Sequence, residues 1–420
     1  MWVRRLFPGR PPRQREQQQE RGALSDGRHR IAASVATNRV MGAITWDRLR
    51  SLAGFRAQTG CAISFFIGFD PSTAPTIPDA KTKINSLLDE AHKSVFANRG
   101  ELTRDEKQGL QDDLDRIRRW LTQDFDRDGA NGVALFAAAL DNVFETLRVR
   151  SVLPDVVRVG PDFYLAPLVP LVGRGDGALV AVVGREKGVL LKLEDGRLTE
   201  LADLSEEQPG RHDQGGWSQA RFQRHIDELA DKHLRTVAEE IDQLVRNGTA
   251  HRVVVVCPEE TKGEFESMLS HEAARAVVGW AQGEQYASPT DLLAIAEPWL
   301  EQARFREETQ ELDRWQEEAG RNGRAAAGWE QTLEAASDGR VELLLFVDGS
   351  QQTAYQCPRC GRASIRDGAC PLDGTRMEER EDAADLAVHQ TLAHGGTVRA
   401  LPRERPELGP VQGIAAVLRY

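Results

Sequence analysis

Long apolar runs are what this 420-residue chain lacks first. None approaches the ~20 residues needed to cross a bilayer. The opening "MWVRRLFPGRPPRQREQQQERG" is rich in Arg, Gln and Pro and has no apolar centre of the signal-peptide kind. A cytoplasmic protein without a membrane partner is therefore expected. Residues 1–42 read as a disordered basic arm, with Met41 as a second candidate start. An excess of positive charge is missing as well. The formal charge of -11 argues against a protein that coats nucleic acid nonspecifically, while leaving room for docking through local basic patches. Cysteines are scarce and unevenly placed. Cys357, Cys360 and Cys370 crowd together, whereas Cys61 and Cys257 sit in apolar, strand-like stretches. That distribution suggests one metal site in a reducing compartment and excludes a disulfide framework. Also absent are a Walker-type phosphate loop, a dinucleotide fingerprint and a serine-hydrolase elbow. "HEAAR" at His271 lacks the second histidine of a metalloprotease helix.

What remains is organised in three blocks. At roughly 100–200 residues per domain, two to four domains are expected. The first block, residues 43–160, reads as α/β: "CAISFFIGF" as a buried strand, two amphipathic helices, then "GVALFAAAL" as a strand. In the second helix Leu110, Leu114, Ile117 and Leu121 recur at helical spacing. The second block, residues 161–305, opens with strand-like "FYLAPLVPLV", "GALVAVVG" and "GVLLKL", with hairpin turns at "REKG" and "EDGR". A long helix around "RFQRHIDELADKHLRTVAEEIDQLVRN", the strand "HRVVVVCP" and another helix follow, suggesting a mixed sheet covered by helices. A polar helical linker, residues 306–328, leads to a C-terminal α/β block, residues 329–420, with the strand "VELLLFVDG" and the cysteine cluster.

"CPRCGRASIRDGACPLDG" carries the strongest chemical signal. Cys357 and Cys360 form one knuckle, and Cys370 with Asp373 a second at the same offset, each followed by glycine. Paired knuckles of this kind hold a tetrahedral structural zinc, because tight turns aim both ligands at one point. A degenerate ribbon held by packing is the competing reading. "DFDRDGANGVAL" places Asp124, Asp126 and Asp128 before Gly129 like a calcium loop, but Leu135 stands where a bidentate Glu is needed. It reads as an acidic turn. "RHDQGGWSQARFQRH", Arg211 to His225, sets two glycines ahead of an indole and a row of arginines. One reading is a loop before a helix whose Ser218 acts as a cap. The other is a mobile glycine tip backed by arginines that enters a phosphate-lined site.

"GGWSQARFQR" resembles the "GGQSxxRFxR" signature of archaeal and eukaryotic class-1 peptide release factors. Gly215, Gly216, Ser218, Arg221, Phe222 and Arg224 match it, and Trp217 stands at the glutamine position. The knuckle pair is similar to the zinc mini-domain of the archaeal members, and "GGTVRALPRE…GIAAVLRY" to the closing elements of that family and of Pelota. The resemblance covers roughly residues 160–420. The first block is closer to bacterial members and has no codon-reading motif such as NIKS; "KINS" at Lys83–Ser86 falls inside a helix. The resemblance implies three domains: an N-terminal α/β domain, a central ribonuclease-H-like domain and a C-terminal α/β domain with a zinc-ribbon-like insertion. It further implies a factor that enters the ribosomal A site, with ribosomal RNA, peptidyl-tRNA and a translational GTPase as partners, acting as a monomer. In that frame Gly215 and Gly216 approach the peptidyl-transferase centre, while Arg211, Trp217, Arg221, Arg224 and His225 contact RNA. Two functions stay open. One is A-site binding in hibernation or rescue without glutamine-dependent chemistry. The other is peptidyl-tRNA hydrolysis in which Gln219 or the loop amides position water.

Overall fold

The computed structural model describes residues 44–69, 77–98, 103–126, 129–172, 177–194, 196–206, 218–283, 287–321, 323–350, 352–403 and 405–420, all within one unit, Asn38–Tyr420. The first lobe begins with α1 (Trp46–Ala53) and β1 (Ala62–Gly68), whose seven residues are all buried. A strand buried on both faces has no polar side to alternate with, hence the continuous run "AISFFIG". α2 (Ile77–Asn98), α3 (Arg104–Arg119), β2 (Gly132–Ala138), β3 (Val143–Val149) and β4 (Val156–Gly160) complete an antiparallel sheet of order β3-β2-β1-β4. α3 opens on a capping box: the Thr103 hydroxyl accepts from the Glu106 amide, and the Glu106 carboxylate accepts from the Thr103 amide. Its stripe of Leu110, Leu114 and Ile117 packs with Leu121 against Ile63, Phe65 and Ile67. "KINS" lies in α2, where the Lys83 ammonium donates to the Gly68 carbonyl at 2.6 Å and pairs with Asp155 at 2.8 Å. It pins the end of β1.

Asp113 on α3 is 1% exposed and accepts the Ala139 amide at 2.9 Å through one oxygen, while the other oxygen has no partner. Burial pushes its carboxyl up to about 7. The folded state therefore holds a proton that the unfolded state releases near pH 3.8. Stability from this group is fully present below that value and is lost as pH rises through about 7. Between pH 5 and 8 the loss is on the order of 3 kcal/mol. Asn keeps the acceptor and cannot ionise, so Asp113→Asn should flatten this part of the stability–pH curve. Chemical denaturation of both chains at pH 5 and pH 8 checks it, and identical pH slopes would refute it.

The second lobe departs from the sequence expectation at its start. "FYLAPLVPLV" is not a strand; Ala166–Leu171 form a 3-10 helix. Pro167 and Pro170 have no N–H to give a ladder, and Leu165, Leu168 and Val169 are buried as a compact apolar plug. β5 (Ala178–Val183), β6 (Gly188–Glu194) and β7 (Arg197–Asp203) form an antiparallel meander. α4 (Ser218–Arg246), β8 (Arg252–Val256), α5 (Glu259–Met268), α6 (His271–Ala276) and β9 (Val277–Ala281) follow. β8 and β9 run parallel to β5, giving the order β7-β6-β5-β8-β9.

α7 (Pro289–Gly320) then runs unbroken through the 305/306 position where a linker was expected to begin. Its first half lays Leu292 and Ala296 on the second sheet, and its second half lays Leu312 and Trp315 on the third. Gly279 lets the first half approach so closely, since a Cβ there would fall 2.4 Å from the Trp299 ring. Three acids within five residues of α7 tie it to both lobes. Glu307 takes Arg252 of β8 in a two-point pair at 2.7 and 2.9 Å, Glu308 takes Arg405 at 3.1 Å, and Glu311 takes Arg399 at 2.8 Å. Among the described residues no helix is long and apolar enough to cross a membrane.

The third lobe comprises β10 (Ala325–Ala327), α8 (Gly328–Ser337), β11 (Val341–Val347), β12 (Ala354–Gln356), β13 (Ala363–Ser364), β14 (Glu378–Arg380), α9 (Ala383–Ala393), β15 (Thr397–Leu401) and β16 (Ile414–Leu418). Its main sheet has the order β10-β16-β11-β15, and β12, β13 and β14 form a small sheet inserted between β11 and α9. The first and third lobes share one core. Phe66, Phe136 and Phe163 pack in the same cluster as Trp329, Leu333, Leu386 and Ile414.

Candidate functional site

α4 starts at Ser218, immediately after the Gly-Gly-Trp stretch. Arg211, Gly215, Gly216 and Trp217 lie outside the described residues, as do the side chains of Gln219 and Arg221 in the helix's first turn. Arg224 and His225 are exposed on its next turn. Ala230 is the first buried residue of α4 among the described side chains. Leu234, Val237, Ala238, Ile241 and Leu244 then recur every three or four residues against the second sheet. At 1.5 Å per residue, about 18 Å of helix precedes Ala230. Arg185 in the β5–β6 turn pairs with Asp227 on this stretch. Among the described side chains, α4 is thus anchored on the second sheet from Ala230 to Leu244.

The cysteine cluster folds as its pattern requires. The Gly361 amide donates to the Cys357 carbonyl at 2.9 Å, and the Gly374 amide to the Cys370 carbonyl at 2.8 Å. Both glycines are left-handed, with φ of +79° and +72°, a conformation without steric cost for glycine. These two matching turns bring Cys357, Cys360, Cys370 and Asp373 together, with all four ligand atoms within 4.8 Å of one another. Cys360 Sγ lies 3.5 Å from Cys370 Sγ, and Cys357 Sγ 3.6 Å from both Asp373 oxygens. A zinc tetrahedron with metal–sulfur legs of about 2.3 Å has edges of roughly 3.5–3.8 Å. The donor set therefore fits a metal of that size.

Its electrostatics point the same way. Burial works to raise the Cys357 thiol, but the amides of Cys360 and Arg359 outweigh it and hold it below its usual value. The Arg362 amide works to lower Cys360, yet burial and the neighbouring sulfurs push it up to about 11. The Thr375 amide, donating to Asp373 at 3.0 Å, holds that carboxyl below the usual range. Three sulfurs and a carboxylate at this spacing cannot all be anionic without a cation among them.

A third polar cluster had no sequence signal beyond a helix at "DAADLAVHQTLAHGG". The strand-to-lobe connection at Asp162–Ala166 is gripped by α9. Asp385 accepts the amides of Leu165 at 2.7 Å and Ala166 at 3.0 Å, and His389 Nε2 contacts the Phe163 carbonyl. The Tyr164 hydroxyl donates to Asp382 at 2.7 Å, and Asp162 pairs with Arg380.

Residues 164–304 match the model of bacterial archaeo-eukaryotic release factor family 10. That central segment is similar to the archaeo-eukaryotic release-factor family. Peptide chain release factor subunit 1 of Archaeoglobus fulgidus is 27% identical over 281 residues, covering 61% of this chain and 69% of that protein. Its counterpart in Methanocaldococcus jannaschii is 24% identical over 299 residues, covering 63% and 71%. Among solved structures, archaeal Pelota in a ribosome-bound model with ABCE1 is similar over 90% of this chain and 95% of that one, at 13% identity and a TM-score of 0.41. The family match takes in the whole of α4 and the Gly-Gly-Trp stretch before it. The cysteine cluster lies outside the match.

Proposed function

We propose that this chain occupies the ribosomal A site as a translation factor of the release-factor and Pelota type, acting in hibernation or rescue without glutamine-dependent chemistry. One observation carries the reading: inside the segment that matches the release-factor family, Trp217 occupies the position of the signature glutamine. An indole has one donor and no acceptor, so it cannot hold a water as a glutamine amide does. It can stack on an unpaired base, worth ~1–3 kcal/mol. Gly215 and Gly216 then give close approach, Arg211, Arg221 and Arg224 supply cations for phosphates, and His225 adds a further RNA contact. The strand order of the second lobe supports a ribonuclease-H-like domain: counted from β5 it runs 3-2-1-4-5, with only the first three strands antiparallel. Zinc, held by Cys357, Cys360, Cys370 and Asp373, is structural, since protein groups fill all four positions. The partners are the ribosome and its RNA, with peptidyl-tRNA and a translational GTPase as further ones. The chain works in the cytoplasm as a monomer.

The test uses purified chain and ribosomes carrying labelled peptidyl-tRNA. Co-sedimentation without release of labelled peptide is expected, and Trp217→Ala should weaken binding by about 5- to 150-fold. Peptide release that disappears in Gln219→Ala would replace this reading with the hydrolase. Undiminished binding by Trp217→Ala would remove stacking from it.

A further inference from the structure

The first and second lobes meet at an arginine pair that has no counter-charge among the described residues. Arg150 follows β3 and Arg197 opens β7. The Arg150 stem crosses two left-handed glycines. A Cβ on Gly196 would fall 2.8 Å from its Cδ, and one on Gly129 3.6 and 3.7 Å from its terminal nitrogens. Nη2 of Arg197 lies 2.9 Å from that same Gly129 position, so both guanidinium groups converge on one point. Bare glycine backbone is what allows it. Nε and Nη2 of Arg150 are buried without a hydrogen-bond partner, as is Nε of Arg148 two residues earlier on the same face of β3. Among the described residues Arg148 donates only to the Asp126 carbonyl, at 3.4 Å, and it lies over the Trp120 and Phe125 rings. Among the described residues no carboxylate pairs with any of the three.

Buried donors without acceptors cost about 1–3 kcal/mol each, and more when charged. The Arg197 guanidinium, on an exposed residue, adds a repulsion that solvent partly screens. An arrangement that costs stability in the free chain recovers it when an oxyanion enters, and two planar forks suit a phosphate, which accepts several parallel N–H bonds. We infer that Arg150 and Arg197, seated on Gly129 and Gly196, form a binding site for a backbone phosphate of RNA at the seam of the first two lobes. This rests on the reading of the chain as a ribosome-binding factor and adds an RNA-binding point remote in sequence from the Gly-Gly-Trp stretch. The arginines fix how the two lobes meet the RNA, because a single phosphate is held from both.

The experiment takes the full chain, Arg150→Gln, Arg197→Gln and the double variant. Melting is followed in potassium chloride and in potassium phosphate at equal ionic strength. Binding to a fluorescent single-stranded RNA is followed by anisotropy across a salt series. The parent should melt higher in phosphate and the double variant should not. In chloride the double variant should melt no lower than the parent, because only repulsion has been removed. RNA affinity should fall at least tenfold. The slope of log affinity against log salt should become shallower by roughly 0.7 for each phosphate no longer neutralised. A double variant that melts lower and ignores phosphate would mean that the arginines serve the chain's own carboxylates, and the inference falls. A phosphate response with unchanged RNA affinity would assign the site to free phosphate and overturn the RNA assignment. Failure of the parent to co-sediment with ribosomes, with RNA binding still dependent on both arginines, would sink the proposed function and leave this site standing.

Discussion

Asp385→Ala should cost about 3 kcal/mol of stability and strip protection from two backbone amides. Asp385 is 4% exposed and accepts the Leu165 and Ala166 amides, 2.7 and 3.0 Å away, from the first turn of α9. Alanine leaves both amides buried with no acceptor, at about 1–3 kcal/mol each. Part of that loss is offset, because the native carboxyl is itself strained: burial pushes it up to about 6. The folded state therefore favours the proton, and the carboxyl's contribution weakens as pH climbs from 3.8 through about 6. Asparagine presents an oxygen to the same two amides without ionising. Asp385→Asn should accordingly keep most of the stability at pH 8 that alanine forfeits. Hydrogen exchange separates this account from a general loss of packing. Leu165 and Ala166 should exchange far faster in the alanine variant than in the asparagine variant. Equal protection in all three chains would refute the latch. The consequence reaches beyond one helix, since these amides belong to the connection that leads from the first lobe into the second.

Legibility of this chain followed the range of the interactions. β1, β2, β5, β6, β8 and β11 were readable because each is a short apolar run bounded by turn residues, and the α3 stripe because its period is local. β3 and β4 were not. "VFETLRV" and "VVRVG" carry charges and are only half buried, so what makes them strands is pairing with β2 and β1. "FYLAPLVPLV" misled for the opposite reason: its apolar content serves a plug, and two prolines outweigh composition. α7 showed as a polar helix, yet nothing local announced that one helix would serve two sheets. Among site residues the metal cluster was the clearest, because the knuckle is set by adjacent residues and a glycine. The Asp385 latch joins positions some 220 apart in sequence. The Arg150–Arg197 pair depends on two glycines that look like ordinary turn residues. Neither leaves a pattern within any window of the chain.

Removing the proposed metal should have the most local of the large effects. β12, β13 and β14 have three, two and three residues, far below what a sheet needs to stand alone. One side of them carries Cys357, Cys370 and Met377 with Tyr355 beside it, while Ala354, Ala363 and Ile365 pack into the main core. Two residues of the first group are proposed ligands, so the insertion's own cluster is largely lost without its centre, and what remains is its seat on the main core. Structural zinc supplies on the order of 10–16 kcal/mol of apparent binding energy in small domains, enough to order a segment of this size. The purified chain should carry about one zinc per molecule by elemental analysis. Chelation or Cys370→Ser should collapse exchange protection over residues 354–380 while the β10-β16-β11-β15 sheet stays protected. A chain that is metal-free as purified and fully protected there would mean that packing alone holds the ribbon. Asp373 then decides between a weak and a tight site. Its carboxylate sits where a fourth thiolate would complete the matching knuckles, and zinc takes oxygen less readily than sulfur in structural sites. Asp373→Cys should raise zinc affinity, and Asp373→Ala should lower it, both measurable by competition with a chromogenic chelator. The order Cys, Asp, Ala is the signature of direct ligation. A residue that merely caps the Thr375 amide would leave affinity indifferent to the exchange, and alanine and cysteine would then behave alike.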